Sequence, residues 1–172
     1  VCEVVDGVGG MRAEVVPGLH GRGVKGWWMG PVSGFYLSCE GEPSVYIAGD
    51  TVMTGSLREA LGRLAPDVVV APAGAANFGF GEDIMFSLEE LDELMTLTRG
   101  DVVFHHLEAL DHCPTTREGL RARMQAYGAR VHVPEDGERL EFTRTSGHKP
   151  ALREDVRRVG IQKRVTARLS GT

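Results

Sequence analysis

Apolar positions change their period part-way along the chain. Over the first fifty residues they fall in short β-branched and aromatic runs, at 1–5, 11–16, 33–38 and 44–48. The clusters Asp6-Gly-Val-Gly-Gly10 and Cys39-Glu-Gly-Glu-Pro43 stand between them. Runs of this kind punctuated by glycine and proline predict antiparallel strands joined by turns. Pro17-Gly-Leu-His-Gly-Arg-Gly23 interrupts the pattern and leaves His20 in a loop after a strand. The stretch 24–31 carries Trp27 and Trp28, whose indoles are expected to cover apolar surface.

After Asp50 the period becomes helical. Ser56-Leu-Arg-Glu59 reads as a capping box, with Leu57, Leu61 and Leu64 on one face until Pro66 stops the helix. Asp67-Val-Val-Val-Ala71 is a continuous apolar run, as expected of a strand covered on both faces. A long glycine- and alanine-rich loop over 72–86 follows, and its length suggests function. The unit then repeats. Ser87-Leu-Glu-Glu90 caps a helix to about Thr98, before the strand Asp101-Val-Val-Phe-His105. Thr115-Thr-Arg-Glu118 caps another to about Tyr127, before Arg130-Val-His-Val133. The segment 138–143 reads as a last strand. Strands first paired among themselves and then alternating with helices predict an α/β sheet with helices packed on it.

Composition narrows the class. A chain of 172 residues with 42% hydrophobic and 25% charged residues has the makeup of about one globular domain. We read 1–145 as that domain. Residues 146–172 read as a basic extension, with seven Lys or Arg against Glu154 and Asp155. A formal charge of −5 gives no reason to expect nucleic acid as a partner, and no stretch suits a bilayer span or a signal peptide. Cys2, Cys39 and Cys113 are an odd number without metal-type spacing, so a cytoplasmic setting is the expectation. A first residue of valine reads as a processed or non-AUG start, or as a fragment of a longer protein.

Candidate chemistry gathers where elements end. Asp50 follows the run Val45-Tyr-Ile-Ala48 and Gly49, His20 follows a strand, and His105 and His106 close another. A sheet fixes such positions while loops leave access to them. Carboxylate and imidazole together suit zinc, which lowers the pKa of a bound water to about 7. Adjacent residues on a strand point to opposite faces, so at most one of His105 and His106 is expected to reach the site. Spacing alone does not choose between them.

Four stretches carry a resemblance: Gly30-Pro-Val-Ser-Gly-Phe-Tyr-Leu37, Ala48-Gly-Asp-Thr51, Asp67-Val-Val-Val-Ala-Pro72, and His106-Leu-Glu-Ala-Leu-Asp-His-Cys113 with Thr116-Arg117. Together they resemble the C-terminal half of the metallo-β-lactamase superfamily, and within it the ascorbate-6-phosphate lactonase-like metal-dependent hydrolases. The match runs from about residue 11 to 143. It implies an αββα sandwich lacking most of its N-terminal half, and one or two zinc ions, with manganese or iron as substitutes. By position it makes His20, Asp50 and His106 the metal ligands, with Asp50 also the catalytic carboxylate that bridges metals. Glu108, Asp111 and His112 would orient ligands or substrate. The superfamily's first cluster, His-x-His-x-Asp-His, occurs nowhere in the chain.

The expected function is therefore a metal-dependent hydrolase, using a metal-bound hydroxide on a small-molecule ester, lactone, amide or phosphodiester. The loop 74–83, with Trp27 and Trp28, would face the substrate. The alternative is an inactive half-domain with a structural or partner-binding role, whose exposed sheet favours a homo-oligomer. A weaker third reading has the basic tail docking an acidic partner.

Overall fold

The computed structural model describes residues 4–6, 10–77, 79, 83–108 and 111–144. Seven strands form one sheet whose spatial order follows the chain: β1 (Val4–Asp6), β2 (Arg12–Leu19), β3 (Pro31–Ser38), β4 (Val45–Ile47), β5 (Val68–Pro72), β6 (Asp101–His105) and β7 (Val131–His132). Strands β1 to β4 pair antiparallel, and β4 to β7 pair parallel. The parallel half needs crossovers, supplied by α2 (Gly55–Leu64), α3 (Leu88–Leu97) and α4 (Arg117–Met124). A shorter helix, α1 (Gly23–Met29), joins β2 to β3.

The three crossover helices share one face of the sheet, as crossovers of one hand require. Leu57, Leu61 and Leu64 of α2, Leu91, Leu94 and Met95 of α3, and Leu120 and Met124 of α4 form one core with Val16, Tyr36, Tyr46, Val69, Ala71, Val102 and Phe104. Glu14 belongs to this buried face, and the last turn of α2 answers it: Arg63 grips its carboxylate through both terminal nitrogens. Alternation sends the intervening residues to the opposite face, where Val15, Phe35, Ile47, Val70 and Val103 lie in one cross-strand row. That face is more open, with Phe35 44% exposed.

Several expectations change. β2 runs through Pro17 to Leu19, with Pro17, Gly18 and Leu19 opposite Ser33, Val32 and Pro31 of β3, a single proline withholding one N–H without ending the pairing. Trp27 and Trp28 do not cover the core. They stand 84% and 75% exposed on α1, whose inner side is Gly26, placed where a Cβ would strike the Gly21 carbonyl. The cap of α2 is Thr54, which accepts from the Leu57 amide, so the helix begins one residue before Ser56. The Ser87 capping box forms in full, with Ser87 and Glu90 each accepting from the other's amide. In α4 the cap is Thr116, accepting from Gly119. Gly128, at φ +66, turns the chain out of the following 3-10 segment before β7. Residues 138–143 form no strand; Phe142 instead meets the His132 ring edge-on at 5.2 Å. The described ends of the loop after β5 are packed: Ala76, Ile84, Met85 and Cys113 form a second small core, with Met29 against it. Phe78, Phe80 and the basic tail from 146 lie outside the described residues. No helix among the described residues is long and apolar enough to cross a membrane.

Candidate functional site

At the C-terminal ends of the parallel strands, loops rather than sheet set the side-chain positions, and the sequence there is shaped for close turns. Gly49 adopts φ +67 with the Ser33 carbonyl 3.0 Å from where a Cβ would stand, so only glycine makes this turn without strain. Asp50 follows directly. Thr51 then stitches the turn to the end of β2: its hydroxyl accepts from the Leu19 amide at 2.9 Å, and the Val52 amide donates to the Leu19 carbonyl at 2.9 Å. His20 is the next residue after Leu19, so the stitch ties the segment that carries it to the turn that carries Asp50.

His20 Nδ1 lies 2.8 Å from the Ile84 carbonyl oxygen. A carbonyl only accepts, so Nδ1 carries the proton and Nε2 is left with its lone pair. His106 follows β6 in a left-handed conformation, φ +55, uncommon for a residue with a side chain. The turn aims its ring at Asp50, with Nε2 3.9 Å from Oδ2. The ring's other nitrogen, Nδ1, lies 3.5 Å from the sulfur of Cys113, which is 3% exposed. Burial, with the charge of Asp50 adding, pushes the Cys113 thiol above its ordinary pKa. Gly74 makes this contact geometrically accessible, since a Cβ there would lie 2.4 Å from the His106 carbonyl oxygen and 2.9 Å from Cys113 Sγ.

His105 and His106 part where β6 ends: His105 is the last residue of the strand, and the left-handed turn at His106 sends its ring elsewhere. His105 stays with β6, and its Nε2 is buried without a hydrogen-bond partner among the described residues. Burial, then the neighbouring His106, lowers its pKa, and Asp50 opposes them. Protonated His105 is therefore less favourable in the folded chain than in the unfolded one. The unfolded chain takes up more protons as pH falls through about 6.5, and stability falls with it. Calorimetry should find a lower Tm at pH 5.5 than at neutral pH, and His105→Gln should narrow that gap.

The other candidates have separate engagements. Glu108 accepts from the Arg117 guanidinium at 2.7 Å and from the Arg117 amide. The His112 ring centre lies 6.5 Å from that of His106, while its carbonyl accepts from Asn77. Asp111 is exposed. Asp50 and His106 thus converge. Among the described residues no group of three or more His, Cys, Asp or Glu is arranged to hold a metal ion. A cleft of about 670 Å³ opens at the other end of the sheet, lined by Pro66, Asp67, Gly100 and Asp101 at strand starts, away from this pair. Cys113 and Thr51 are the residues that sequence reasoning passed over. Their signals were slight: a cysteine seven residues after His106, and a hydroxyl beside Asp50.

No family model matches the chain. The UPF0173 protein YddR of Bacillus subtilis is 27% identical over 137 residues, which cover 77% of this chain and 54% of that protein. The metallo-β-lactamase fold protein YhfI, also from B. subtilis, superposes with a TM-score of 0.56 at 11% identity, over 79% of this chain and 51% of its own. The chain carries the metallo-β-lactamase fold. Two other solved structures superpose with higher scores. A possible metal-dependent hydrolase from Veillonella parvula gives a TM-score of 0.72 at 27% identity, covering 79% of this chain and 55% of that one. The isothiocyanate hydrolase from Delia radicum gut bacteria gives 0.73 at 29% identity, covering 84% and 60%. The chain spans between half and three-fifths of the length of these relatives.

Proposed function

We propose that this chain carries part of the site of a metal-dependent hydrolase, with His20, Asp50 and His106 as its contribution to holding a divalent cation. The convergence of Asp50 and His106 at the ends of β4 and β6 is the observation that supports the reading. Relatives named as hydrolases, one of them as metal-dependent, agree with it. The donor chemistry suits zinc, manganese or iron: a carboxylate oxygen and an imidazole nitrogen 3.9 Å apart, against about 3.3 Å for two donors on one tetrahedral zinc. The set is incomplete among the described residues, so a third donor comes from His20 Nε2 after adjustment, or from protein outside the described residues.

When bound, such a cation polarises a substrate oxygen and makes water acidic enough to act near neutral pH. The chain's own part is orientation. The Ile84 carbonyl keeps the His20 Nε2 lone pair available, and the Thr51 stitch holds Asp50 beside the end of β2. Asp50, half exposed, can take a proton from water as well as contribute an oxygen. Ester, lactone, amide and phosphodiester substrates all suit this chemistry.

Equilibrium dialysis of the purified chain against zinc or manganese tests the reading. About one bound cation per chain is expected, with affinity falling at least tenfold, about 1.4 kcal/mol, in Asp50→Ala. Substoichiometric binding that Asp50→Ala leaves unchanged would instead favour a non-catalytic half-domain. The open row of Val15, Phe35, Ile47, Val70 and Val103 is the feature that supports that second reading, because it offers apolar surface to a partner.

A further inference from the structure

Asp50, His106 and Cys113 stand in a line, carboxylate to imidazole to thiol. Such an order suggests a nucleophilic cysteine with its base and orienting acid. Burial rules that role out, since a nucleophile must be reached by its substrate and Cys113 is closed off by Gly74, Ala76, Ile84 and Met85. What remains is the contact itself. We propose that Cys113 is a positioning residue for His106, its buried S–H donating to Nδ1 so that the ring proton sits on Nε2, turned toward Asp50.

Three features carry the assignment. The Sγ to Nδ1 separation of 3.5 Å is a hydrogen-bond distance for sulfur, and an imidazole lone pair accepts better than a thiol sulfur does. With Nδ1 accepting, the neutral ring holds its one proton on Nε2, which faces the Asp50 carboxylate at 3.9 Å, and that charge favours a proton there. The surroundings hold both partners in place. Gly74 lets the two backbones meet, the Thr115 amide donates to the Gly74 carbonyl, and the Asn77 amide donates to the His112 carbonyl. Cys113 supplies the hydrogen bond that Nδ1 makes, and a ring that loses such a bond has less to fix its χ2 angle. A sulfur also accepts, so the same contact persists if the proton moves to Nδ1 and frees Nε2 to ligate.

The inference goes beyond the hydrolase reading, because the ring can be observed in the chain without any cation. Long-range proton–nitrogen NMR correlations report the His106 tautomer at mildly alkaline pH. The wild-type ring should be almost wholly in the Nε2–H form. Cys113→Ala should raise the Nδ1–H share several-fold, and Cys113→Ser, whose hydroxyl can still donate, should restore the wild-type ratio. An alanine variant with the wild-type tautomer ratio would overturn the assignment. If the alanine variant does not fold, the S–H stretching band of a chain carrying Cys2→Ser and Cys39→Ser decides. A band shifted to the frequency of a donating thiol, and lost from that position in His106→Phe, supports the contact; a band at the free-thiol frequency refutes it. Failure of cation binding with these results intact would remove the hydrolase reading and leave this one standing.

Discussion

Arg63→Met should lower the unfolding free energy by about 3–5 kcal/mol, a large share of the roughly 5–15 kcal/mol that holds a typical domain folded. Glu14 lies on the helix-covered face of β2 with 3% of its surface exposed, and both terminal nitrogens of Arg63 reach its carboxylate. Removing the guanidinium leaves a charge in apolar surroundings, where it must be desolvated alone or take up a proton. Replacing both partners, with Glu14→Leu added to Arg63→Met, should return most of the lost stability, because no buried charge then remains. Urea unfolding of the three chains measures this. A single variant within about 1 kcal/mol of wild type would mean that the pair is far better hydrated than its burial indicates.

Phe104→Ala should cost a similar 3–5 kcal/mol. Phe104 is fully buried in the core that β6 shares with the three crossover helices, among its largest side chains, and its removal leaves a cavity that the surroundings close only in part. Val103 is the control. It sits one residue away on the open face, in the row with Phe35 and Ile47, so Val103→Ala should cost well under half as much. Equal costs would show that the two faces of the sheet are not as different as described. Because His106 is two residues beyond Phe104, the same variant should also broaden the His106 ring signals in NMR, tying the core to the site.

Much of this arrangement was legible in the chain, and the failures have local physical causes. Ser87-Leu-Glu-Glu90 announced its helix correctly because cap and return partner are both present and no rival cap precedes it. Ser56-Leu-Arg-Glu59 satisfies the same pattern, yet Thr54 wins, since a hydroxyl two residues earlier captures the Leu57 amide and leaves Ser56 inside the helix. Trp27 and Trp28 misled because their size argues for burial, whereas the inward position of α1 is held by Gly26, which has no side chain to give a signal. At the site, Asp50 was readable from a strand that stops at glycine. That His106 rather than His105 meets it depends on a left-handed turn at His106, which no periodicity reports. The place of Cys113 depends on Gly74 admitting it, a contact between segments far apart in the chain.

Strand order that follows chain order has a consequence for how the molecule is made. A ribosome releases β2, β3 and β4 in the sequence in which they pair, and then β5 and β6 each with a finished edge waiting beside it. Closing each step needs only the loop and helix just synthesised, so the entropic cost of every closure stays small. Asp50 and His106 are both in place once β6 has docked, before α4 and β7 have left the ribosome, and the segment carrying Cys113 is the next to arrive. Asp50 and His106 can thus meet during synthesis, with Cys113 joining them before the sheet is complete.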